Sequence, residues 1–386
     1  MPQNGTLHVI VFTDSYLETS GVGTYYRSLV DWCRTRDEMR VTIVCPEPAR
    51  RQDYEPTEEV IPLRPKLKCS FPLYPDLTVG YYAKSMLRKL MRSMSGTRVI
   101  HIASSGPLGV AAAKVARAEG LPIVGCYHTD MRARGRIYGR KFLGSFGGWL
   151  GDKVLGYYDR LAYGGCDGTY TPSESARQMV RAAFPGKTEV IPYEVDVHRF
   201  QPGSSRNGWF RERYQKKNAL LAIVVGRVCT EESVDELCRL LGDDERIALV
   251  FVGGGPESSR VKRYSGVEVT GFLQGKQLTD AYQQADVFVQ ISRSETYGLC
   301  LIEALSCGLP AVVLRAPGLA SNLPPDCGAV VLESDELPML ADRCVTLASD
   351  PARHQDYARQ ARAFAMTQAA EESLAKCVEF HKAYAR

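Results

Sequence analysis

The chain lacks several patterns that identify membrane, secreted and zinc-binding proteins. No stretch approaches the roughly 20 apolar residues of a membrane-spanning helix, and the first residues carry no basic segment followed by an apolar signal sequence. The 12 cysteines are scattered, without a Cys-x-x-Cys pair or a Cys/His cluster of zinc-finger spacing. Several of them stand in apolar runs, which indicates free thiols in a reducing compartment. We therefore expect a cytoplasmic protein, with any membrane contact peripheral at the inner face.

Charge and length exclude further classes. The net charge is only +4, too small to indicate a nucleic-acid partner, and none is expected. The hydrophobic fraction of 45% and the charged fraction of 24% are typical of a globular protein. Because 386 residues exceed the size at which a single core keeps growing, we expect two domains.

Short β-branched runs alternate with helical patterns along the whole chain. Runs such as LHVIVFT (7–13) and VTIVCP (41–46) are typical of parallel strands that are covered on both faces. Helical patterns cover residues 25–34, 108–119 and 173–183, the last with Ser173 as its N-cap. This alternation predicts a doubly wound α/β fold.

The pattern is interrupted at QPGSSRNG (201–208), a predicted linker, and then restarts. We expect an N-terminal Rossmann-like domain over 1–202 that binds the acceptor and a second Rossmann-like domain over 203–365 that binds the donor. Residues 366–386 are expected to form a C-terminal helix that packs back on the first domain. Two such sheets facing each other across a cleft would bring the carboxyl ends of their strands to one crevice, where open α/β sheets bind ligands.

The most informative stretch is ISRSETYGLCLIEALSCGLP (291–310). Its two glutamates, Glu295 and Glu303, have seven residues between them. A strand ending near Ser292 is expected to lead into a helix that begins around Gly298, where free amides could bind a diphosphate. Glu303 stands among apolar residues and needs a partner, such as a ribose diol. The alternative is that both glutamates only stabilise the end of a helix.

This stretch resembles the E-x7-E motif of retaining GT-B glycosyltransferases of family four, which includes bacterial mannosyltransferases and sulfoquinovosyl-lipid synthases. Other matches follow in register: FTDSYLETSGVGTYYRSLV (12–30), CYHTD (126–130), VDVHRFQP (195–202), VGRV (225–228), VGGGPE (252–257) and VTGF (269–272). The resemblance covers nearly the whole chain. It implies the two-domain GT-B architecture and transfer of a hexose, with retention, from a nucleoside-diphosphate sugar.

The resemblance also implies site residues. His128 and Glu295 would be catalytic, with His128 beside the anomeric region of the donor and Glu295 in contact with the transferred sugar. Donor binding would involve Gly21, Arg227, Phe272, Tyr297, Gly298, Leu299 and Glu303. Among these, Gly21 would let the backbone approach the phosphates, Arg227 would grip the diphosphate, the backbone near Phe272 would meet the base, and Glu303 would bind the ribose.

Each residue also has a simpler interpretation. Alone, Gly21 would be a turn glycine, Arg227 a surface arginine and His128 a structural histidine. For His128, a position at the end of an apolar strand and before Thr129–Asp130 favours a functional role.

Two positions depart from the family pattern. Glu232 stands where the family's G-R-x-x-x-E-K has lysine, and Glu194 stands where glycine is usual. A reversed charge beside a diphosphate should cost about several kcal/mol in a partly desolvated site. Either another cation substitutes, or donor binding is weak, or transfer is lost. The alternative function is therefore a catalytically weak or silent nucleotide-sugar-binding protein; a two-lobed solute-binding protein is disfavoured by the missing signal sequence.

The sequence also bears on cofactor and acceptor. No Asp-x-Asp pair stands at a strand end, so no metal and no other cofactor is expected. Arg227 and the helix N-terminus would instead neutralise the leaving diphosphate. The acceptor is expected to be a hydroxyl of a lipid, a glycolipid or another glycan.

Two basic segments with apolar residues are candidates for contact with an anionic membrane surface. Residues 81–94 have methionines and leucines largely on one face, and we favour an ordinary core helix for them. Residues 131–163 are predicted to be a Gly-rich loop and are the better candidate for contact with acceptor or membrane. In this segment aromatic residues interleave with Arg132, Arg134, Arg136, Arg140, Lys141 and Lys153.

Overall fold

The chain folds into two compact units in a computed structural model. The structure describes residues 6–17, 21–36, 38–47, 59–71, 74–94, 96–184, 186–216, 219–368 and 372–385. Unit 1 comprises Met1–Tyr193 and Glu371–Arg386, and unit 2 comprises Glu194–Ala370. The segment 201–208, predicted as the linker, lies inside unit 2.

Unit 1 is built on a seven-stranded parallel sheet. Its strands and those of a separate antiparallel hairpin are β1 Leu7–Phe12, β2 Met39–Pro46, β3 Val60–Leu63, β4 Leu67–Phe71, β5 Tyr74–Tyr81, β6 Arg98–Ile102, β7 Ile123–Cys126, β8 Gly168–Thr171 and β9 Thr188–Val190. The sheet order is β3–β2–β1–β6–β7–β8–β9, and β4 pairs with β5. The helices are α1 Gly21–Arg34, α2 Lys84–Ser93, α3 Pro107–Ala118, α4 Met131–Tyr163 and α5 Glu174–Ala183.

Unit 2 is built on a six-stranded parallel sheet. Its strands are β10 Leu220–Val225, β11 Ile247–Val252, β12 Val267–Val269, β13 Val287–Gln290, β14 Ala311–Leu314 and β15 Ala329–Leu332, in the order β12–β11–β10–β13–β14–β15. The helices are α6 Trp209–Tyr214, α7 Val234–Leu241, α8 Ser258–Val261, α9 Gly275–Gln284, α10 Leu299–Ser306, α11 Leu340–Ser349 and α12 Pro351–Gln368. Short 3₁₀ turns cover Thr230–Glu232, Leu319–Asn322 and Ser334–Met339.

The two sheets share one topology. In each, the first strand is central, the next two extend to one side, and the following strands extend to the other. This is the Rossmann order, in which ligands bind beyond the carboxyl ends of the strands where the direction reverses. The predicted α/β class, with two Rossmann-like domains, is confirmed. A last helix, α13 Ser373–Tyr384, belongs to unit 1.

Local signals in the sequence explain several of these elements. β1 is buried at every position, as expected for a strand covered on both faces. The predicted N-cap of α5 is confirmed, because Ser173 accepts a hydrogen bond from the amide of Ala176 (3.2 Å). The preference for a core helix over 81–94 is also confirmed, because α2 buries Leu87 and Met91 in the core of unit 1.

The prediction of a loop over residues 131–163 is wrong. This segment is α4, whose helical geometry is broken at Leu143 (φ −130°) and Gly144 (φ 59°), so that two helical arms form a hairpin. The arms pack backbone against backbone: a Cβ on Gly139 would lie 2.0 Å from the carbonyl oxygen of Gly147. A Cβ on Gly135 would likewise lie 2.4 Å from the carbonyl oxygen of Gly151. The glycines that suggested a loop form a helix–helix seam, where their small size permits close approach.

Candidate functional site

Two loops that carry predicted donor-binding residues meet at the carboxyl edge of the unit 2 sheet. The strands before them, β10 and β13, are neighbours in the sheet. The hydroxyl of Ser292 donates to the carbonyl of Glu231 (3.3 Å), and Arg293 pairs with Glu236 (2.6 Å). The turn after β10 is thus fastened to the loop after β13, and Arg227 and Glu295 come from adjoining loops.

Arg227 extends from a turn that glycine makes possible. Gly226 follows β10 and Gly253 follows β11, and a Cβ on Gly253 would lie 1.8 Å from the carbonyl oxygen of Gly226. The amide of Val228 donates to the carbonyl of Gly254 (3.0 Å). A side chain at position 253 would push the two turns apart, so the glycines set the backbone from which the half-buried Arg227 projects.

Glu295 is held by its own loop. Its Oε1 accepts hydrogen bonds from the amides of Thr296 (2.9 Å) and Tyr297 (3.1 Å). The side-chain amide nitrogen of Gln290, Nε2, donates to Oε2 at 3.5 Å. Oε1 therefore orders the loop before α10, and Oε2 is the oxygen better suited to a ligand.

The turn into α10 depends on Gly298. This residue has φ 103° and ψ 50°, a left-handed backbone conformation that residues with a Cβ atom rarely adopt. The first amides of a helix have no carbonyl partner within the helix, and they carry its positive end. Leu299, half-buried, is the first helical residue, whereas Tyr297 is 3% exposed as a whole residue and its amide already donates to Glu295. The start of α10 is therefore more accessible to a ligand at Leu299 than at Tyr297.

Glu303 lies inside α10 and bonds to a neighbouring helix. The hydroxyl of Tyr282, on α9, donates to Glu303 Oε2 (2.7 Å). Burial raises the pKa of Glu303 to about 7, against the opposing effects of this hydrogen bond and of the charge of Arg199. A carboxyl that exchanges its proton near neutral pH, with its second oxygen available, suits recognition of a hydroxyl-bearing ligand.

Three carboxylates act on one point of the site. Burial raises the pKa of the Cys300 thiol well above its ordinary value, and the charges of Glu303, Glu295 and Glu232 add to the effect. Glu232, which stands at the position of the family's lysine, is therefore near enough to Glu295 and Glu303 to act on the same thiol. A bound anion would meet negative charge here, offset by Arg227 and the start of α10.

Phe272 is the exposed aromatic residue among those predicted to bind the donor. It is 47% exposed, and its ring edge lies against Gly254, where a Cβ would be 3.2 Å from Cε2. Gly254 belongs to the same turn system as Arg227. The backbone near Phe272 therefore borders the turn that carries Arg227, at the carboxyl edge of the unit 2 sheet.

His128 and Gly21 lie in unit 1. Gly21 is the exposed first residue of α1. His128 follows β7 and is 5% exposed; its Nε2 bonds to the hydroxyl of Tyr26 (2.6 Å), and its Nδ1 bonds to the hydroxyl of Tyr193. Burial lowers its pKa to about 3, so the ring is neutral. These contacts suit a structural histidine as well as a ring held ready for a substrate, and the catalytic role stays a prediction.

Sequence reasoning missed the surroundings of His128. Four residues with shorter bonds to it, directly or through one another, are Tyr26, His101, Tyr193 and His381. They come from α1, from β6, from the last position of the first segment of unit 1 and from α13. A weak signal was His101 within the apolar strand RVIHI, because a buried imidazole requires a partner.

Among the residues that the structure describes, no group of three or more His, Cys, Asp or Glu side chains is arranged to hold a metal ion. Within the same residues, no helix combines the length and the apolar character needed to cross a membrane.

Comparison with known proteins identifies the two halves. Residues 19–199 match the family described as Glycosyltransferase Family 4, and residues 220–350 match Glycosyl transferases group 1. A GDP-mannose-dependent alpha-mannosyltransferase of Mycobacterium tuberculosis (strain CDC 1551 / Oshkosh) is 28% identical over 86% of this chain and 85% of its own. The sulfoquinovosyl transferase SQD2 of Arabidopsis thaliana is 31% identical over 59% of this chain and 44% of its own.

Solved structures with the same fold cover both units. Sucrose-phosphate synthase from Thermosynechococcus elongatus superposes with a TM-score of 0.75 at 16% identity, over 98% of both chains. Anabaena HepE in complex with UDP-glucose superposes with a TM-score of 0.70 at 14% identity, over 97% of this chain and 99% of its own. The predicted GT-B fold and family resemblance are confirmed, and the chain belongs to the glycosyltransferases, with a family 4 domain followed by a group 1 domain.

Proposed function

We propose that this glycosyltransferase moves a hexose from a nucleoside-diphosphate sugar to a hydroxyl acceptor with retention of anomeric configuration. The observation that carries the proposal is the convergence, at one edge of the unit 2 sheet, of Arg227, the start of α10 and Glu303. These supply a cation and backbone amides for a diphosphate and a carboxyl for a ribose.

The donor class has further support in the relatives. GDP-mannose appears in the name of the mycobacterial mannosyltransferase, and UDP-glucose is bound in the HepE structure. Both are nucleoside-diphosphate hexoses that present a diphosphate and a ribose diol. In our proposal Arg227 and the amides at Gly298–Leu299 bind the diphosphate, Glu303 binds the ribose, and the backbone near Phe272 meets the base.

The proposed mechanism uses these groups for charge neutralisation. As the bond from the anomeric carbon to the diphosphate oxygen breaks, negative charge grows on the leaving group, and fixed donors aimed at it lower the barrier. Retention follows if the acceptor oxygen attacks from the face that the diphosphate leaves, with the departing phosphate taking the acceptor's proton. Glu295 would contact the transferred sugar, and His128 keeps its predicted role beside the anomeric carbon.

Glu232 sets the strength of donor binding in this proposal. Its charge opposes the diphosphate, whereas the raised pKa of Glu303 leaves that carboxyl partly neutral near pH 7 and reduces the negative charge. The charge-reversal variant Glu232→Lys should therefore tighten binding of free UDP or GDP about tenfold, at the scale of one charge-assisted hydrogen bond. Arg227→Ala should weaken the same binding.

Calorimetry with UDP and GDP, followed by transfer and hydrolysis assays with UDP-, GDP- and ADP-hexoses, tests the donor proposal. Glu245→Lys makes the same charge change at an exposed position of unit 2 and should leave affinity unchanged. Unchanged or weaker binding by Glu232→Lys would place the diphosphate elsewhere. Binding without any turnover of a hexose donor would reject the transferase proposal itself.

The acceptor proposal depends on the end of the α4 hairpin, residues 140–154, which we call the hairpin tip. Its large apolar side chains are exposed, with Phe142 and Phe146 at 62% and Trp149 at 57%. Arg140, Lys141 and Lys153 are exposed in the same segment. Aromatic residues interleaved with cations suit the interface of an anionic bilayer. We infer that the hairpin tip contacts such a surface, where a lipid or glycolipid acceptor would be met.

Some cations of α4 lie outside the hairpin tip and pair within the hairpin instead. Asp152 on the second arm pairs with Arg132 (2.9 Å) and Arg136 (2.5 Å) on the first. These pairs hold the two arms together. Neutralising Arg132 or Arg136 would therefore test hairpin stability rather than membrane contact.

Sedimentation with phosphatidylcholine vesicles, with and without phosphatidylglycerol, tests the membrane proposal. We expect binding to the anionic vesicles that falls with salt. Neutralising Arg140, Lys141 and Lys153 to Gln should weaken binding roughly 100-fold, at about 1 kcal/mol per cation. Phe146→Ser with Trp149→Ser should weaken it as well.

The matched control for the aromatic variant is Met339→Ser with Met366→Ser, which removes two exposed apolar side chains (43% and 44%) from unit 2. This control should bind vesicles like the wild type. Equal binding to neutral and anionic vesicles, or equal loss in the control, would overturn the proposal.

A further inference from the structure

A continuous chain of buried hydrogen bonds runs through unit 1 from the predicted catalytic histidine to the C-terminal helix. The hydroxyl of Tyr26 lies 2.6 Å from Nε2 of His128 and 2.7 Å from Nε2 of His101. Nδ1 of His101 lies 2.7 Å from Nε2 of His381. Nδ1 of His381 lies 2.6 Å from the carbonyl oxygen of Cys377, one turn earlier in α13. At the other end, Nδ1 of His128 bonds to the hydroxyl of Tyr193.

The residues of this chain of hydrogen bonds are buried away from water. Tyr26, His101 and His381 are fully buried, and Tyr193 and His128 are nearly so. Burial lowers the pKa of His381 to about 4 and that of His128 to about 3, and it lowers the pKa of His101 well below its ordinary range. All three rings are therefore neutral near pH 7, and each has one nitrogen that donates and one that accepts.

The backbone carbonyl of Cys377 fixes the tautomer of His381, because a carbonyl oxygen can only accept a hydrogen bond. Nδ1 of His381 therefore carries the proton, and its Nε2 is bare, that is, unprotonated. His101 must then donate from Nδ1, which leaves its own Nε2 bare as the acceptor of the Tyr26 hydroxyl. The Tyr26 oxygen, having donated its proton to His101, can only accept from His128.

We propose that α13, through the Cys377 carbonyl and His381, fixes His128 as the tautomer protonated on Nε2, with a bare Nδ1 that accepts the Tyr193 hydroxyl. Tyr26, His101 and His381 are then positioning residues that act on His128. The importance of His128 to a substrate rests on the proposed function. A sugar or acceptor hydroxyl that replaces the Tyr193 hydroxyl would meet an acceptor at Nδ1, so it would have to donate.

The neighbouring thiols of Cys126 and Cys377 and the ring of Tyr25 do not change these directions. The thiol of Cys126 lies 3.6 Å from Nδ1 of His128, and that of Cys377 lies 3.7 Å from Nδ1 of His381, distances typical of weak sulfur contacts. Tyr25 packs against the His128 ring, but its hydroxyl bonds to Tyr170 and Cys377. These thiol contacts are longer than the bonds of 2.6–2.7 Å that connect Cys377, His381, His101, Tyr26 and His128.

Two-bond ¹H–¹⁵N correlation spectra of the full-length ¹⁵N-labelled protein test the proposal, because bare and protonated ring nitrogens resonate far apart. The chain has six histidines, and single substitutions assign them. We expect His381 and His101 to be protonated on Nδ1 and His128 on Nε2. His128 protonated on Nδ1 in the wild type would overturn the proposal without any variant.

A substitution at a distance tests the coupling. In His101→Phe the Tyr26 hydroxyl loses its acceptor, and its remaining partner is Nε2 of His128. Reversal of the His128 tautomer to the form protonated on Nδ1 gives the Tyr26 hydroxyl an acceptor and takes one from the Tyr193 hydroxyl. Because Tyr26 is 0% exposed and Tyr193 is 4% exposed, an unpaired hydroxyl costs more at Tyr26, so the tautomer should reverse. His8→Phe removes another buried histidine of unit 1, bonded to Thr42 (2.9 Å), and should leave His128 unchanged.

The variant Tyr26→Phe breaks the chain between the two rings. In that background, His101→Phe should no longer alter the signals of His128. An unaltered tautomer in His101→Phe alone, or the same change in His8→Phe, would overturn the coupling. The spectra need neither donor nor acceptor, so their result stands apart from the transfer assays, and the failure of either proposal leaves the other measurable.

Discussion

Glu303 is a carboxyl whose charge changes in the ordinary working range of pH. Burial raises its pKa to about 7 in the folded protein, from an ordinary value of 4.5. Because the folded state holds the proton more strongly, the group's contribution to the free energy of unfolding is complete below pH 4.5. That contribution is lost as pH rises through 7. A glutamine at this position keeps an acceptor for Tyr282 but cannot ionise.

Glu303→Gln should therefore gain stability relative to the wild type as pH rises. We expect the difference in the free energy of unfolding between variant and wild type to change by on the order of 2 kcal/mol between pH 5 and pH 8. Urea unfolding at both pH values measures it. Tyr282→Phe, which removes the hydrogen bond that favours the carboxylate, should move the loss of stability to higher pH. A pH-independent difference for Glu303→Gln would show that the carboxyl is not desolvated.

At the scale of single residues, the sequence predicts that a buried polar group needs a partner but does not predict which residue that partner is. That Glu303 needs a polar partner followed from its apolar neighbours, but the partner, Tyr282, lies on a different helix. The contacts of His128 were even harder to predict from the sequence, because His381, which belongs to the same cluster, lies about 250 residues later in the chain. Such pairings depend on which helices the fold brings together, and local periodicity does not contain that information.

The α4 hairpin shows how an element can be misread. The continuously apolar strand β1 and the helix α3 were predicted because each buries apolar residues that are contiguous or periodic in its own sequence. The hairpin buries a glycine face of one arm against a glycine face of the other. Glycine favours a loop when residues are considered one at a time, and only the return of the chain at Leu143–Gly144 turns it into a packing residue.

The seam makes a sharp distinction between two glycines of the same element. A Cβ on Gly147 would lie 2.2 Å from the carbonyl oxygen of Gly139, so Gly147→Ala must separate the arms, at a cost of roughly 1–3 kcal/mol. Gly156 lies in the second arm, but the three nearest atoms to a Cβ there would all belong to the Arg132 side chain, the nearest at 3.3 Å, so Gly156→Ala should cost less than about 1 kcal/mol. Hydrogen exchange measures the difference: Gly147→Ala should lower protection of amides in both arms. Equal loss of protection in the two variants would contradict backbone packing at the seam.

At the scale of the whole molecule, the two units repeat one strand order with different loops. The sequence predicted both sheets because parallel strands buried on both faces leave a strong apolar signal. The chain divides at Tyr193–Glu194, and its last helix returns to unit 1. A division of this kind is set by long-range contacts, which composition does not reveal. The departures from the family pattern, Glu194 and Glu232, both lie in unit 2.

The remaining prediction is that hexose transfer needs no metal ion. The carboxylates of unit 2 make this a strict test, because they add negative charge near the proposed diphosphate site. Arg227 and the amides at the start of α10 are proposed to neutralise the leaving diphosphate, so transfer should proceed unchanged in EDTA. The carboxylates of Glu232, Glu295 and Glu303, which all act on Cys300, could instead attract a divalent cation once a diphosphate adds its own oxygens. Initial rates of hexose transfer in EDTA, with EDTA preloaded with Ca²⁺ as the control, distinguish the two. Activity lost in EDTA and restored by Mg²⁺ or Mn²⁺ would reject the metal-free mechanism. In that event Glu232→Lys should reduce the metal requirement, because the lysine would supply the positive charge that the cation provides.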